Sequence, residues 1–176
     1  MTQLVWFRED LRTDDQRALV AAVAVADAAG EAVHAVWCAT PAQWDAHGMG
    51  DNRRGFLLDN VLQLQAALAE AGIVLHVVDA GDFAGSVRAV LDIARANGAG
   101  AVHYNEEYPL NEQRRDASFD AACAAAGIVG CRHHDGMLVP PRAVLTKAGT
   151  PYTVFTPYRQ AWYRELAADG GIAPMA

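Results

Sequence analysis

Five short apolar runs, at residues 4–7, 32–38, 73–78, 101–104 and 128–134, alternate with five stretches of helical spacing, at 15–29, 52–71, 83–97, 111–126 and 157–168. Short apolar runs separated by amphipathic helices predict βαβ units, and strands without polar alternation predict a sheet covered on both faces. Several helical stretches start behind an Asp or Asn cap or a first-turn proline, and Gly30, Gly72, Gly98 and Gly127 stand where helices stop. Right-handed crossovers leave few topologies. The expected fold is α/β: a five-stranded, doubly wound parallel sheet in the order 3-2-1-4-5 with helices on both faces.

That order puts a switch point between the first and fourth strands, where open sheets bind ligands beyond the carboxyl ends of their strands. The first run changes there within two residues from apolar to charged, at Arg8, Asp10 and Arg12, and the fourth runs into Asn105, Glu106, Glu107 and Tyr108. A polar crevice lined by both segments follows. Residues 138–157 break the alternation, being rich in Pro, Gly and Thr, and read as a crossing segment. The helix after them is expected to stop at Gly170-Gly171. The chain thus divides into an α/β domain at 1–136 and, at 137–176, a connector with the start of a terminal helix.

Composition narrows the classes. Apolar residues make up 52 % and charged residues 20 %, as in a globular protein with a sizeable core. With a net charge of -7 and Lys147 as its only lysine, the segment lacks the clustered cations that a nucleic-acid surface needs. Cys38, Cys123 and Cys131 are odd in number and show no CxxC spacing, which argues against a disulfide framework or a zinc site and for a reducing compartment. The chain shows no basic-then-apolar leader and no run of about 18 apolar residues, so the expected location is the cytoplasm, away from membranes.

Neither GxGxxG after the first strand nor GxxxxGK[ST] occurs, which removes the common dinucleotide and ATP cradles. Cys123 and Cys131 fall in a helix and a strand and read as core residues rather than nucleophiles. His34, His76 and His103 fall in strands, as hydrogen-bonded structural histidines do. Adjacent His133 and His134 point to opposite faces of a strand, a poor metal site, and read as surface or sheet-end histidines. His47 differs, since its loop follows strand two on the crevice edge. Glu106, Glu107 and Glu112 offer carboxylates to that edge, whereas Glu112 and Asp116 also read as first-turn charges favoured by the helix dipole. Arg8, Asp10 and Arg12 serve equally as a buried ion-pair network or as ligand groups. Tyr158, Trp162 and Tyr163 on the last helix would mark an interface if exposed.

Four strings, VWFREDLR, PAQWDAHGM, YNEEYPLNEQRRD and YTVFTPYRQAW, come in this order along nearly the whole chain. Together they resemble the N-terminal α/β domain of the DNA photolyase and cryptochrome family. The resemblance implies a domain that holds a light-harvesting antenna chromophore, which passes excitation to reduced FAD in a separate helical domain. That helical domain also carries the DNA groove and splits cyclobutane pyrimidine dimers, so the present chain alone is expected to be catalytically inactive and to meet DNA only through it. In folate-type members, a His in the loop after strand two and an Asn-Glu pair opening the fourth helix touch methenyltetrahydrofolate; by motif these are His47, Asn111 and Glu112. A carboxylate and an amide suit the amino-pyrimidine edge of a pterin. Tyr108 and Trp44 offer aromatic surface to a flat ring. Arg8, Asp10, Asn105 and Glu106 complete the expected cofactor-binding set. Deazaflavin, the antenna of other members, is the alternative, deeper in the same crevice.

Two points depart from the pattern. Asp15 is followed by Gln16 where members often have Asn, which chiefly affects the first helix cap. Folate binding in the family also draws on the helical domain, so the site on this segment is expected to be half open. Rival readings are a stand-alone module for a small ligand or nucleotide, and an interaction domain for a flavin-bearing partner.

Overall fold

The computed structural model describes residues 1–140 and 143–168; the helix stop expected at Gly170-Gly171 lies outside them. The elements are β1 (Thr2–Phe7), α1 (Arg17–Ala29), β2 (Ala32–Ala39), α2 (Pro41–Ala46), α3 (Asp51–Glu70), β3 (Val74–Asp79), α4 (Phe83–Ala96), β4 (Ala99–Asn105), α5 (Leu110–Ala126), β5 (Val129–His133) and α6 (Phe155–Ala168). The strands form one sheet in the order β3-β2-β1-β4-β5, every neighbouring pair parallel, as the alternation predicts.

β1 is central and buried on both faces, which is why its sequence is an unbroken apolar run. Leu4 and Trp6 join Val36, Val102 and Tyr104 in a core closed by α4 and α5, and Val5 and Phe7 join Ala35 and Trp37 in a second core closed by α1 and α3. The edge strand β3 leaves Val74 and Val77 exposed.

Helix ends follow local chemistry. Gln16, fully buried, caps α1 by accepting a hydrogen bond from the Leu19 amide at 2.6 Å, and Gly30 closes the helix at φ 65° in the left-handed region that glycine tolerates best. α4 starts behind Asp82, whose side chain accepts from the Gly85 amide at 2.6 Å. The turn before it is tight enough that a Cβ on Gly85 would lie 1.9 Å from the Ala80 carbonyl oxygen.

The structure adds one element to the expected set. α2 occupies part of the stretch read as the loop after strand two; six residues with none buried carry no hydrophobic period to detect.

The strand histidines are structural, as expected. His34 Nδ1 and His76 Nε2 lie 3.2 Å apart across β2 and β3, and His103 bonds Gln3 Oε1 at 3.0 Å on one side and His133 at 3.1 Å on the other. Burial, reinforced by His133, lowers the His103 pKa to about 4, so this chain of polar groups is held neutral. His133, the last residue of β5, is the sheet-end histidine of the two alternatives, half-buried as the partner of His103.

α6 buries none of its side chains; Phe155, Tyr158 and Tyr163 are exposed. A small cavity of 360 Å³ separates α6 from the connector, walled by Val139, Tyr158 and Trp162 among others. Among the described residues, no helix is long and apolar enough to cross a membrane.

Candidate functional site

A crevice of 780 Å³ opens at the carboxyl ends of β1, β2 and β4, the switch point of the sheet. Arg8 and Asp10 reach it from the end of β1, Asn105, Glu106 and Tyr108 from the end of β4, His47 from the segment after α2, and Asn111 and Glu112 from the first turn of α5. All eight expected site residues therefore line one cavity. Trp37 and Trp44 also line it, their ring centroids 6.3 Å apart, together with Gln43 and Asp135, which sequence reasoning missed. Gln43 lies one helical turn before His47 and Asp135 just past β5, so both positions carried the same topological signal as the residues that were named.

The floor is an ion-pair cluster. Arg8 Nη1 donates to Asp116 Oδ1 at 2.8 Å, and Arg115 Nη2 donates to the same oxygen at 2.8 Å and to Glu107 Oε2 at 2.6 Å. Both guanidinium groups also lie against the Trp6 ring, 5.1 Å and 5.0 Å from its centroid, an attractive arrangement in a desolvated site. Burial, with Arg115 beside it, lowers the Arg8 pKa, whereas for Arg115 burial is outweighed by Glu107 and Asp116 and the pKa is raised. Asp116 is fully buried and lies in the second turn of α5, so it is the counter-ion of two arginines and not a first-turn dipole charge. Sequence spacing could not reveal this, because one partner is 108 residues away.

Beside the floor, a second cluster fastens the strand ends. Asp10 accepts from the Arg8 amide at 3.1 Å, Gln16 Nε2 at 2.8 Å and Asn105 Nδ2 at 2.5 Å. Asn105 Oδ1 accepts from the Ala18 amide at 3.1 Å, and its Nδ2 also donates to Asp135, which pairs with Arg12 at 2.5 Å. Of Arg8, Asp10 and Arg12, the two arginines are ion-paired, to Asp116 and Asp135, whereas Asp10 is held by uncharged donors. Glu106 is likewise engaged, by His134 at 2.8 Å and Arg132 at 3.4 Å.

The rim is different. No side chain among the described residues hydrogen-bonds His47, Asn111 or Glu112; the first two are exposed and Glu112 is half-buried. Their backbone is nonetheless preset. The His47 amide bonds the Gln43 carbonyl at 3.0 Å, Gly48 turns the chain at φ 64°, and Arg54 ties the loop by bonding the Met49 carbonyl at 2.7 Å and Asp45 at 2.6 Å. Tyr108 presents a buried hydroxyl without a partner, its pKa raised by burial and then by Glu106 and Asp135, so it remains a phenol. Flat aromatic walls, an ion-paired floor and a rim of polar groups unpaired among the described residues suit the holding of a planar polar heterocycle.

Comparison with known proteins agrees with this architecture. The family model described as DNA photolyase matches residues 3–175. The deoxyribodipyrimidine photo-lyase of Salmonella typhimurium is 38 % identical over 168 residues, covering 96 % of this chain and 34 % of that protein, and the Escherichia coli enzyme is 38 % identical over 165 residues, covering 94 % and 34 %. Among solved structures, a bacterial class III photolyase from Agrobacterium tumefaciens superposes with a TM-score of 0.71 at 28 % identity, over 98 % of this chain and 33 % of that one. A Synechocystis cryptochrome superposes with a TM-score of 0.78 at 25 % identity, over 94 % and 34 %. The chain spans about a third of the length of these relatives. It belongs to the DNA photolyase family, and its fold is that of the family's N-terminal α/β domain.

Proposed function

We propose that this chain is the photoantenna domain of a DNA photolyase, and that its crevice holds a light-harvesting chromophore, methenyltetrahydrofolate in the first instance. The observation that carries this reading is the meeting of His47, Asn111 and Glu112, whose side chains have no hydrogen-bond partner among the described residues, on the rim of one crevice walled by Trp44 and Tyr108. The group fits the donors present: a carboxylate for the amino-pyrimidine edge, an amide for donor and acceptor together, an imidazole, and rings to face a flat heterocycle. When bound, such a chromophore absorbs near-ultraviolet or blue light and passes the excitation to a reduced flavin. The protein's own contribution is orientation and exclusion of water, with no general acid, base or nucleophile needed.

Deazaflavin is the alternative occupant, deeper in the same crevice. We assign the α/β domain to 1–136 and read 137–176 as the connector toward a helical domain that binds FAD and, through it, DNA for the repair of cyclobutane pyrimidine dimers. The exposed rings of α6 and the length of the relatives support such a partner. The three free thiols fit a reducing, cytoplasmic setting.

The test is the absorption spectrum of the purified chain with methenyltetrahydrofolate, repeated with His47→Ala and Glu112→Ala. A red-shifted folate band that both substitutions abolish is expected. Tight binding of an adenine nucleotide without any folate binding would instead establish a nucleotide module.

A further inference from the structure

Among the described residues, five buried side-chain polar atoms have no hydrogen-bond partner: Arg8 Nε, Arg8 Nη2, Gln43 Oε1, Tyr108 OH and Asp116 Oδ2. Three of these are accounted for by the floor. The Arg8 guanidinium lies against the Trp6 and Tyr104 rings, 5.1 Å and 4.9 Å from their centroids, and Asp116 already receives both arginines on its other oxygen. Among the described residues, Gln43 Oε1 and Tyr108 OH meet neither a counter-ion nor a facing ring, and both residues line the crevice. They come from separate elements, α2 and the segment between β4 and α5, and the fold brings both residues into the wall of one cavity. A buried polar group without a partner costs stability, and folded proteins retain few of them unless something else completes the bond.

We propose that Gln43 and Tyr108 are ligand-binding residues of the crevice, the Gln43 amide oxygen accepting a hydrogen bond from a ring N–H and the Tyr108 hydroxyl bonding a second polar atom of the same planar ligand, with stability of the free protein given up to keep both groups unpaired. This rests on the antenna reading above, adds Gln43 to its residues and gives the Tyr108 hydroxyl a role beyond the aromatic surface of its ring. The chemistry called for is a fused heterocycle with an N–H at its edge, which pterins and flavins share. Gln43 is well placed to act with His47, since its own carbonyl accepts the His47 amide at 3.0 Å and couples the two positions rigidly.

The test uses the full 176-residue chain and two substitutions that remove only the polar function, Gln43→Met and Tyr108→Phe. Melting temperature is measured without ligand, and affinity is measured separately for methenyltetrahydrofolate and for riboflavin. The expected result is a melting temperature equal to or above that of the unsubstituted chain, with affinity for the bound probe about tenfold weaker in each variant, the loss of one hydrogen bond. The probe that loses affinity identifies the ring class. A lower melting temperature in both variants would mean that the groups serve the fold, and unchanged affinity would mean that they make no bond to the ligand; either overturns the proposal. If the chain binds a probe in a manner that depends on His47 and Glu112 but not on Gln43 or Tyr108, this inference falls and the antenna reading stands. If neither probe binds the unsubstituted chain, both fall.

Discussion

Arg8 and Asp116, 108 residues apart, meet at 2.8 Å beneath the crevice, where Arg8 is 7 % exposed and Asp116 not at all. The bond joins the end of β1 to α5, the helix whose first turn presents Asn111 and Glu112. The ion pair in the floor therefore sets the position of the rim.

Replacing Asp116 with Ala removes the buried carboxylate that both Arg8 and Arg115 meet at 2.8 Å and leaves them only Glu107 in common, 3.8 Å from Arg8 and 2.6 Å from Arg115. The expected cost is about 3–5 kcal/mol in urea unfolding, the range for breaking a buried pair from one side. A cost below about 1 kcal/mol would show that the cluster does not hold the floor together.

Gln16→Ala removes the cap of α1 and one of the three donors to Asp10. A loss of about 1–2 kcal/mol is expected, with faster hydrogen exchange at the Leu19 amide, which the Gln16 side chain now protects. Unchanged exchange there would contradict the capping role.

Gly85→Ala places a methyl carbon 1.9 Å from the Ala80 carbonyl, a backbone atom that cannot swing aside. The expected destabilisation is at least about 1–3 kcal/mol, as for overpacking elsewhere. Gly55→Ala, inside α3 with open space around the added carbon, serves as the control and should leave stability unchanged or slightly raised.

Stability should fall on acidification. His103 has its pKa lowered to about 4 from 6.5, first by burial and then by His133, so below pH 6.5 the unfolded chain takes up a proton that the folded chain refuses. The contribution is fully present above pH 6.5 and is lost as pH falls toward about 4, by up to about 1.4 kcal/mol per pH unit. His133 and His76, also lowered mainly by burial, act in the same direction. Urea midpoints measured from pH 7.5 to 4.5 check this; a midpoint that stays flat or rises through that window would refute it.

Much of the fold was legible because burial imposes period. β1 sits between two helix layers and must be apolar at every position, and the helices must each carry a stripe, so the five alternations and the sheet order could be read before any coordinates. Element ends shifted by a residue or two, since caps such as Gln16 are decided by which side chain reaches which amide. α2 escaped notice because a short exposed helix leaves no periodic trace. At the site, motifs named the rim residues, whereas the unpaired state of the Gln43 amide oxygen emerged only when buried atoms could be checked for partners.

By itself, the sequence determined the strands, the helices, their order in the sheet and the edge at which polar residues gather, because each of these depends on neighbours close in the chain or on the handedness of the backbone. Only the tertiary structure decided which of those polar residues are spent on one another. Asp116 turned from a helix-end charge into a buried counter-ion, and Asp10 and Asn105 became fasteners of the strand ends, while the side chains of His47, Asn111 and Glu112 were left without hydrogen-bond partners among the described residues. Pairing of charges depends on distances across the fold, and residues 108 positions apart acquire a distance only when the chain is packed.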